Sequence, residues 1–501
     1  MRCITPETLS SIKGDDQKLW VYNGLDCVVT RAVWDELQPM RTPHSDLAYN
    51  FSIAMQGPAM HMMLRGIRID TFERAQQIDI HQIKLTRLQL ILNQYSHAVW
   101  GQDLNAASPP QLKAFFYGAL GIPEITKYDK ATKSKKVSVD RDALEKLLNY
   151  WYASPIARCI LRIREVSKVL SVLRSGVDAD NRIRTSYNVC GTETWRWSSS
   201  ENAFGTGTNL QNITNELREI FIADHGKKMA YVDLEQAESR AVAYISGDLA
   251  YILACESGDL HTTVCKLVWQ DLPWADNLDI DKAIAKQEFY RHLSYRDMAK
   301  KGGHGTNYYG KPPTVAKHMK VAVKLVEAFQ WKYFSAFPGI SRWHTHTAEL
   351  LQTAGHITTP YGFKRHFFGR RSDDATLREA IAFVPQSLVG VGLNLGLWRV
   401  WYYMDLHGQE VECLAQVHDA GLIQYDEARE DELLPRIMSL MEIRVPVKGK
   451  ELHIPTNAEV GWNWKHYVKG TNNDGIKGYK PGDSRKREIE ASTSVLDRIL
   501  C

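Results

Sequence analysis

The chain has 501 residues, 44% of them hydrophobic and 24% charged, with a formal net charge of +4. That length supports a large core divided among several subdomains, and the balance is that of a globular protein, which excludes fibrous and wholly disordered classes. So small a net charge creates no global field for a polyanion, and any nucleic-acid surface has to be a local patch.

Residues 1–45 are short and mixed, with one helix-like run, VVTRAVWDEL, at 28–37. From Leu47 apolar residues recur at helical spacing up to Gly66, and Gly66 with Asp70 closes that helix. A second amphipathic helix is expected over 71–100, with Ile78, Ile80, Ile83, Leu88, Leu90 and Ile91 as packing surface. Segment 124–138, EITKYDKATKSKKVS, carries five lysines. It reads as an exposed loop or hairpin, either merely solvated or touching a phosphate backbone through residues such as Lys133, Lys135 and Lys136. Helices follow at 141–151 and 155–175. Short strands and polar loops begin at 181, strand and helix alternate to about 250, a mostly helical block covers 259–355, and mixed sheet and helix run from 356 to 464. The polar tail 465–501 reads as a loose linker ending in a weak helix. Eight scattered cysteines without a CxxC pair argue against a zinc ribbon or a disulfide framework and fit a reducing cytosol. No unbroken apolar run of about 18 residues occurs and no signal-like segment opens the chain, so a soluble, cytoplasmic protein with no membrane partner is expected.

Three stretches place polar chemistry where packing alone would not. ECLAQVHDAGLIQY (412–425) is strand-like on both sides of His418 and Asp419, which suggests a hairpin whose turn, HDAG, presents the acid. An ionised carboxylate between buried strands is costly unless it is paired or metal-bound. In KKMAYVDLEQAESRAVAYISGD (227–248) a strand ends at Asp233 and a helix starts near Gln236, a common location for ligand chemistry. Either acid alone reads as a turn or capping residue. Delivered together by adjacent strands, the two carboxylates could hold two Mg²⁺ ions about 3.5–4 Å apart. The third stretch is YRDMAKKGGHGTNYYG (295–310), where Arg296, Lys300, His304 and Tyr308 recur every four residues. On a helix they form one stripe drifting about 40° per step. Two cations followed by two rings suit a triphosphate at one end and a base or sugar at the other. A solvated basic helix would not call for Gly302 and Gly303, each costing roughly 1 kcal/mol of helix propensity, unless something approaches closely.

In this order the three blocks resemble the polymerase motifs of family A DNA polymerases. DLEQAESR is similar to D-x-S-Q-x-E-L-R, RDMAKKGGHGTNYYG to R-x-x-x-K-x-x-x-(F/Y)-G-x-x-Y-G, and QVHDA to V-H-D-E. Further similar blocks are MLRGIRID, LNAASPPQLKAFFYGALGIP, TWRWSSSENAFGTGTNLQNI (like T-G-R-L-S-S…N-L-Q-N-I), SGDLHT, REAIAFVPQS and GWNW, so the resemblance runs from about 15 to 465. It implies an α/β (α+β) right-hand polymerase with an antiparallel palm sheet, helical fingers and a helical thumb. The implied divisions are an exonuclease remnant at 1–45, thumb and preceding helices at 46–187, palm at 188–258 and 366–465, fingers at 259–365, and the tail at 466–501. The implied activity is template-directed DNA synthesis from dNTPs on primer-template DNA, with two Mg²⁺ ions (Mn²⁺ as a substitute) and a bacteriophage source.

The resemblance also implies roles. Asp233 and Asp419 would be metal ligands with the Leu234 carbonyl, and Glu238 the steric gate against a ribose hydroxyl. His261, Arg296 and Lys300 would contact the triphosphate, with Lys300 the acid toward pyrophosphate, while His304 would lie at the nucleotide's sugar 3′ position and Tyr308 would stack near the template or nascent pair. Arg196, Gln211, Arg378, Gln386 and His418 would touch primer or template. Lys133, Lys135 and Lys136 would fall where the thumb grips duplex backbone. Departures from the pattern include His304 for Phe or Tyr, Tyr309 for Gly, Ala382 for Asn, and Ala420 for the Glu that follows the palm Asp. Near the N-terminus Tyr22 and Asp26 resemble only the last block of a 3′–5′ exonuclease. No autonomous proofreading is therefore expected, with a separately encoded exonuclease or a processivity factor as a further partner. Two alternatives remain open: a single-subunit RNA polymerase, and a catalytically silent primer-template-binding descendant.

Overall fold

The computed structural model describes residues 14–129, 132–202 and 205–482; the weak helix expected at the extreme C-terminus lies outside them. Helix α1 (Asp15–Leu37) extends well upstream of the run expected at 28–37 and buries none of its residues. A capping box between Thr42 and Ser45, with Pro43 at the first position, starts α2 (Pro43–Arg65). It stops as expected at Gly66, whose φ of 64° and ψ of −179° only glycine adopts freely. Asp70 has a different job from the one expected: its Oδ1 accepts the Phe72 and Glu73 N–H groups and so opens α3 (Thr71–Trp100). Of the packing surface expected on α3, Ile78 and Leu88 do pack against the core, whereas Ile80, Ile83, Leu90 and Ile91 are exposed. The line that meets α4 (Ser154–Leu173) is buried Leu92 with half-buried Leu85 and Leu88, packed in one cluster with Ile156, Ile160 and Ile163. Between these helices, 124–138 folds as a hairpin, with Thr126–Asp129 paired to Ser134–Val137.

The centre of the molecule is a six-stranded sheet. Its first strand in the chain is β1 (Lys227–Leu234), followed by helices α5 (Ala237–Ser246), α6 (Leu260–Val268), α7 (Val323–Ala336) and α8 (Asp374–Val400). The chain then forms β2 (Val411–Val417), β3 (Ala420–Asp426), α9 (Glu430–Met441), β4 (Thr456–Gly461), β5 (Asn463–His466) and β6 (Gly475–Gly478). Strand order is β2-β3-β1-β4-β6-β5, antiparallel except between β5 and β6. Side chains alternate along β1: Ala230, Val232 and Leu234 join the core that includes α5 and α8, while Met229 and Tyr231 join the opposite cluster with Leu422 and Trp464. Asp233 therefore shares the face of Met229 and Tyr231. By length and hydropathy α8 and its continuation to Leu406 could cross a membrane, yet 83% of the apolar window is buried inside the protein. It is a core helix, nearly apolar all round because elements cover it on all sides.

The loose linker expected after 465 is contradicted up to 482. Strand β6 adds to the sheet, and Asn472, buried, exchanges side-chain hydrogen bonds with Asn463 (2.7 and 3.2 Å). A Gly- and Asn-rich composition marks tight turns as readily as disorder, and here the turns return the chain to a sheet edge.

Candidate active site

Register decides the first pair. β3 lies against β1 with Ala420 opposite Asp233, so Asp419, one residue earlier, sits beside the end of β1, where the Leu234 N–H donates to the Asp419 carbonyl at 3.3 Å. The strand runs one residue past Asp233. The connecting turn is only His418-Asp419 rather than HDAG, since Ala420 already pairs with Val417. A two-residue hairpin needs positive φ, and His418 supplies it at 54°. An amide relay through buried Gln416 and half-buried Gln211 holds this turn. Gln416 Nε2 donates to the His418 carbonyl (2.8 Å), and Gln211 Nε2 donates to Gln416 Oε1 (2.6 Å) and to the Trp197 carbonyl (3.0 Å). Gln211 thus has its amide committed to supporting the hairpin. Ala420 is buried, and the further acids that act on Asp233 are Glu459 and Glu235.

The carboxyl of Asp233 is pushed up to about 6, first by loss of solvent and then by repulsion from Asp419, Glu459 and Glu235. Asp419 is raised as well, by burial first, although Arg196 pulls it back. Arg196 Nη2 bridges two acids, reaching Asp419 Oδ1 at 3.0 Å and Glu238 Oε1 at 2.6 Å. The other oxygen of Glu238 accepts from the Tyr308 hydroxyl at 2.8 Å, and His304 Nδ1 lies 3.8 Å away. His304 and Tyr308 meet edge to face with centroids 4.9 Å apart. One arginine, two acids and two rings from four separate stretches therefore form a single connected group.

The stripe over 295–310 is not a uniform α-helix. Tyr295–Asp297 and Gly303–Asn307 are α-helical, but Met298–Gly302 forms a π-turn. The wider turn takes up part of the drift of a four-residue repeat, and such turns concentrate at functional sites. The glycine pair is explained by contact with α7: a Cβ at Gly302 would meet Phe329 at 2.9 Å, and one at Gly303 would meet Tyr333 at 3.2 Å. Arg296 Nη2 is held by buried Asp259 (2.9 Å), which also caps α6 through the Thr262 N–H. Lys300 is exposed. His261, in the first turn of α6, is lowered to about 4, by burial first and then by the charges of Arg296 and Lys300. At neutral pH it is an uncharged imidazole beside two cations, a site short of negative charge.

That imbalance makes a prediction. Adding pyrophosphate raises the His261 pKa from about 4 toward its ordinary value of about 6.5, because an anion stabilises the imidazolium. An NMR titration of the ring protons with and without pyrophosphate reads this directly; an unmoved His261 would exclude anion binding here.

Arg378 and Gln386 lie on α8, both partly buried. Lys133, Lys135 and Lys136 lie on the hairpin; Lys136 pairs with Asp129 at 2.5 Å, while Lys133 and Lys135 are exposed. The hairpin extends from the α3–α4 cluster and is not part of the group around Asp233 and Asp419. Sequence reasoning missed Asp259 and Gln416. Asp259 had a visible signal, an acid before a helix at DLHT with Thr three residues on; Gln416 had none, being one more polar residue in a strand.

The profile of DNA polymerase family A matches residues 76–466. The chain belongs to this family. Among family A relatives it is 28% identical over 464 residues to DNA polymerase I of Chloroflexus aurantiacus, covering 88% of this chain and 46% of that protein. It is 27% identical over 423 residues to the thermostable DNA polymerase I of Thermus filiformis, covering 80% and 46%. The chain thus spans about half the length of the curated relatives it matches. Its structure is similar to the POL domain of Pol1 from M. smegmatis, solved in complex with DNA primer-template and dNTP, with TM-score 0.68, 22% identity, and 82% of this chain and 70% of that one covered. That likeness shows the fold, the mixed α/β right-hand polymerase architecture expected from the family A resemblance.

Proposed function

We propose that this chain is a template-directed DNA polymerase that extends a primer 3′ end with dNTPs. The observation that carries the reading is the register of β1 and β3, which brings Asp233 beside Asp419. The region of His261, Arg296 and Lys300, deficient in negative charge, complements that pair of acids. The primer 3′-hydroxyl oxygen attacks the α-phosphorus while its proton passes to solvent, the bond from that phosphorus to the α,β-bridging oxygen breaks, and pyrophosphate leaves. Asp259 holds the Arg296 guanidinium in a fixed orientation for a phosphate oxygen, and the exposed Lys300 ammonium is available to neutralise or protonate the departing pyrophosphate. Glu238, held from both sides, would occupy the space of a ribose 2′-hydroxyl.

The site fits hard divalent cations: its donors are carboxylates, and Asp233, raised first by burial and then by its acidic neighbours, would be stabilised in its charged form by a cation held beside it. Mg²⁺ held by Asp233, Asp419 and the Leu234 carbonyl would supply activation of the attacking oxygen and stabilisation of the leaving one. In this reading 188–258 and 366–465 form the palm, 259–365 the fingers and 46–187 the thumb, whose basic hairpin would meet duplex backbone. A replicative role in a bacteriophage and the absence of proofreading by this chain alone belong to the same proposal. Supporting the latter, Tyr22 and Asp26 lie exposed on a helix that buries nothing.

Primer extension on a defined template tests the reading. The purified protein with Mg²⁺ extends the primer with dNTPs far more efficiently than with rNTPs and does not initiate with rNTPs alone; unprimed synthesis from rNTPs would favour an RNA polymerase, and binding without incorporation a silent descendant. A mismatched 3′ end survives incubation without dNTPs, and robust excision would refute the proofreading statement.

A further inference from the structure

Two aromatic residues beside this machinery stand in a backbone conformation that bulky side chains rarely adopt. Trp195 has φ of 64° and Tyr309 φ of 57°. Each adjoins a residue that bonds Glu238: Arg196 follows Trp195, and Tyr308 precedes Tyr309. Left-handed backbone at a large residue persists only where the surroundings over-determine it. Around Trp195 they do. Its ring packs against Phe363 and Phe51, with centroids at 4.6 and 5.8 Å, and its carbonyl accepts from Asn394, a buried residue of α8, at 2.8 Å. Gly390 of the same helix approaches so closely that a Cβ would lie 2.9 Å from the Thr194 carbonyl and 3.3 Å from Arg196 Cγ. Tyr309 is gripped independently. Lys311 Nζ lies 4.2 Å over its ring and 3.1 Å from its hydroxyl, and also pairs with Asp374 of α8 at 3.3 Å. The buried His344 packs edge-on to the same ring at 5.5 Å.

We propose that Trp195 and Tyr309 are positioning residues that set sugar specificity. They anchor Arg196 and Tyr308 on opposite sides of Glu238, so that its carboxylate cannot turn aside for a 2′-hydroxyl. The inference rests on the polymerase reading above. A side chain bonded through both oxygens is only as rigid as its two partners, and each partner adjoins a half-buried aromatic residue held by a different set of contacts. Loosening either anchor restores rotamers to Glu238.

The test is single-nucleotide primer extension comparing kcat/KM for a dNTP and the matching rNTP. Trp195→Gly and Tyr309→Gly remove the rings while tolerating the positive φ. In each, the dNTP-to-rNTP ratio falls by about tenfold while kcat with dNTP stays within about threefold of wild type. Trp195→Phe, which keeps a ring, retains the ratio. Equal loss with both nucleotides, or an unchanged ratio, overturns the proposal, since a merely structural role would not separate the two sugars. Should a glycine variant fail to fold, Lys311→Met loosens Tyr309 without emptying its site, and an unchanged ratio there is equally fatal. Glu238→Ala separates the two levels of inference. If it loses discrimination while the anchor variants keep it, the anchors fail and the polymerase reading stands. If wild type extends with neither nucleotide, the polymerase reading fails and takes this proposal with it.

Discussion

Asp419→Ala lowers primer extension by on the order of a thousandfold or more while the protein stays folded. The activity loss follows from removing one of the two carboxylates that the register of β3 against β1 brings together as the proposed metal ligands. The fold survives because Asp419 sits in a two-residue turn whose contact with β1, the Leu234 N–H to the Asp419 carbonyl, uses backbone alone. Its partner shows the stability side of the same arrangement. The Asp233 carboxyl is raised to about 6 in the folded protein, above its ordinary value of about 3.9. Its contribution to stability is therefore fully present below pH 4 and is lost as pH rises through 6. Asp233→Asn lacks that loss, so in the absence of divalent cations its melting temperature relative to wild type rises between pH 4 and pH 7. Adding Mg²⁺ stabilises wild type more than the variant. Near-normal extension by Asp419→Ala would refute the assignment of the site, and a melting difference flat with pH would refute the electrostatic account of Asp233.

Lys228→Ala destabilises the protein by roughly 3–5 kcal/mol, the largest stability effect expected of any single substitution discussed. Lys228 at the start of β1 pairs with Glu430 at the start of α9 at 2.7 Å, both side chains 1% exposed. The Tyr425 hydroxyl donates to the same Glu430 oxygen at 2.8 Å, and the Lys228 ammonium lies 4.9 Å over the Trp462 ring. Removing the lysine leaves a carboxylate without its cation in the core, with only a phenol and the N-terminal end of α9 to offset it. The pair itself adds little net stability, because desolvating two ions cancels most of their attraction. The double variant Lys228→Met/Glu430→Leu therefore recovers most of the loss. Urea unfolding followed by circular dichroism measures both. A single variant within about 1 kcal/mol of wild type would show that water or rearrangement reaches the site.

Much of the local structure was legible in the sequence. Gly66 stops a helix because its backbone enters a region closed to other residues, and lysine-rich 124–138 forms a hairpin. Asp233 and Asp419 lie on a strand and in a hairpin turn as expected, although the turn is shorter than HDAG and a π-turn breaks the helix expected over 295–310. Misreadings came where an amphipathic pattern had no partner to meet, as on α3, whose apolar residues outnumber those that α4 covers. They came also where composition stood in for topology, as in the tail, which returns to the sheet at β6.

By itself the sequence determined the caps, the turns, the strand pattern flanking His418 and Asp419 and the four-residue stripe from Arg296 to Tyr308, because propensity, capping and turn chemistry act within a few residues of the chain. Only the tertiary structure decided that Arg196 bridges Glu238 and an Asp419 that lies 223 positions away, that Asp259 holds Arg296, that a π-turn interrupts the stripe, and that Trp195 and Tyr309 carry positive φ. Hydrogen bonds and ion pairs act over a few ångströms. Which groups come that close is set by the register of β1 against β3 and by the packing of α8 and α7, and these relations between distant segments leave no local mark in the order of residues.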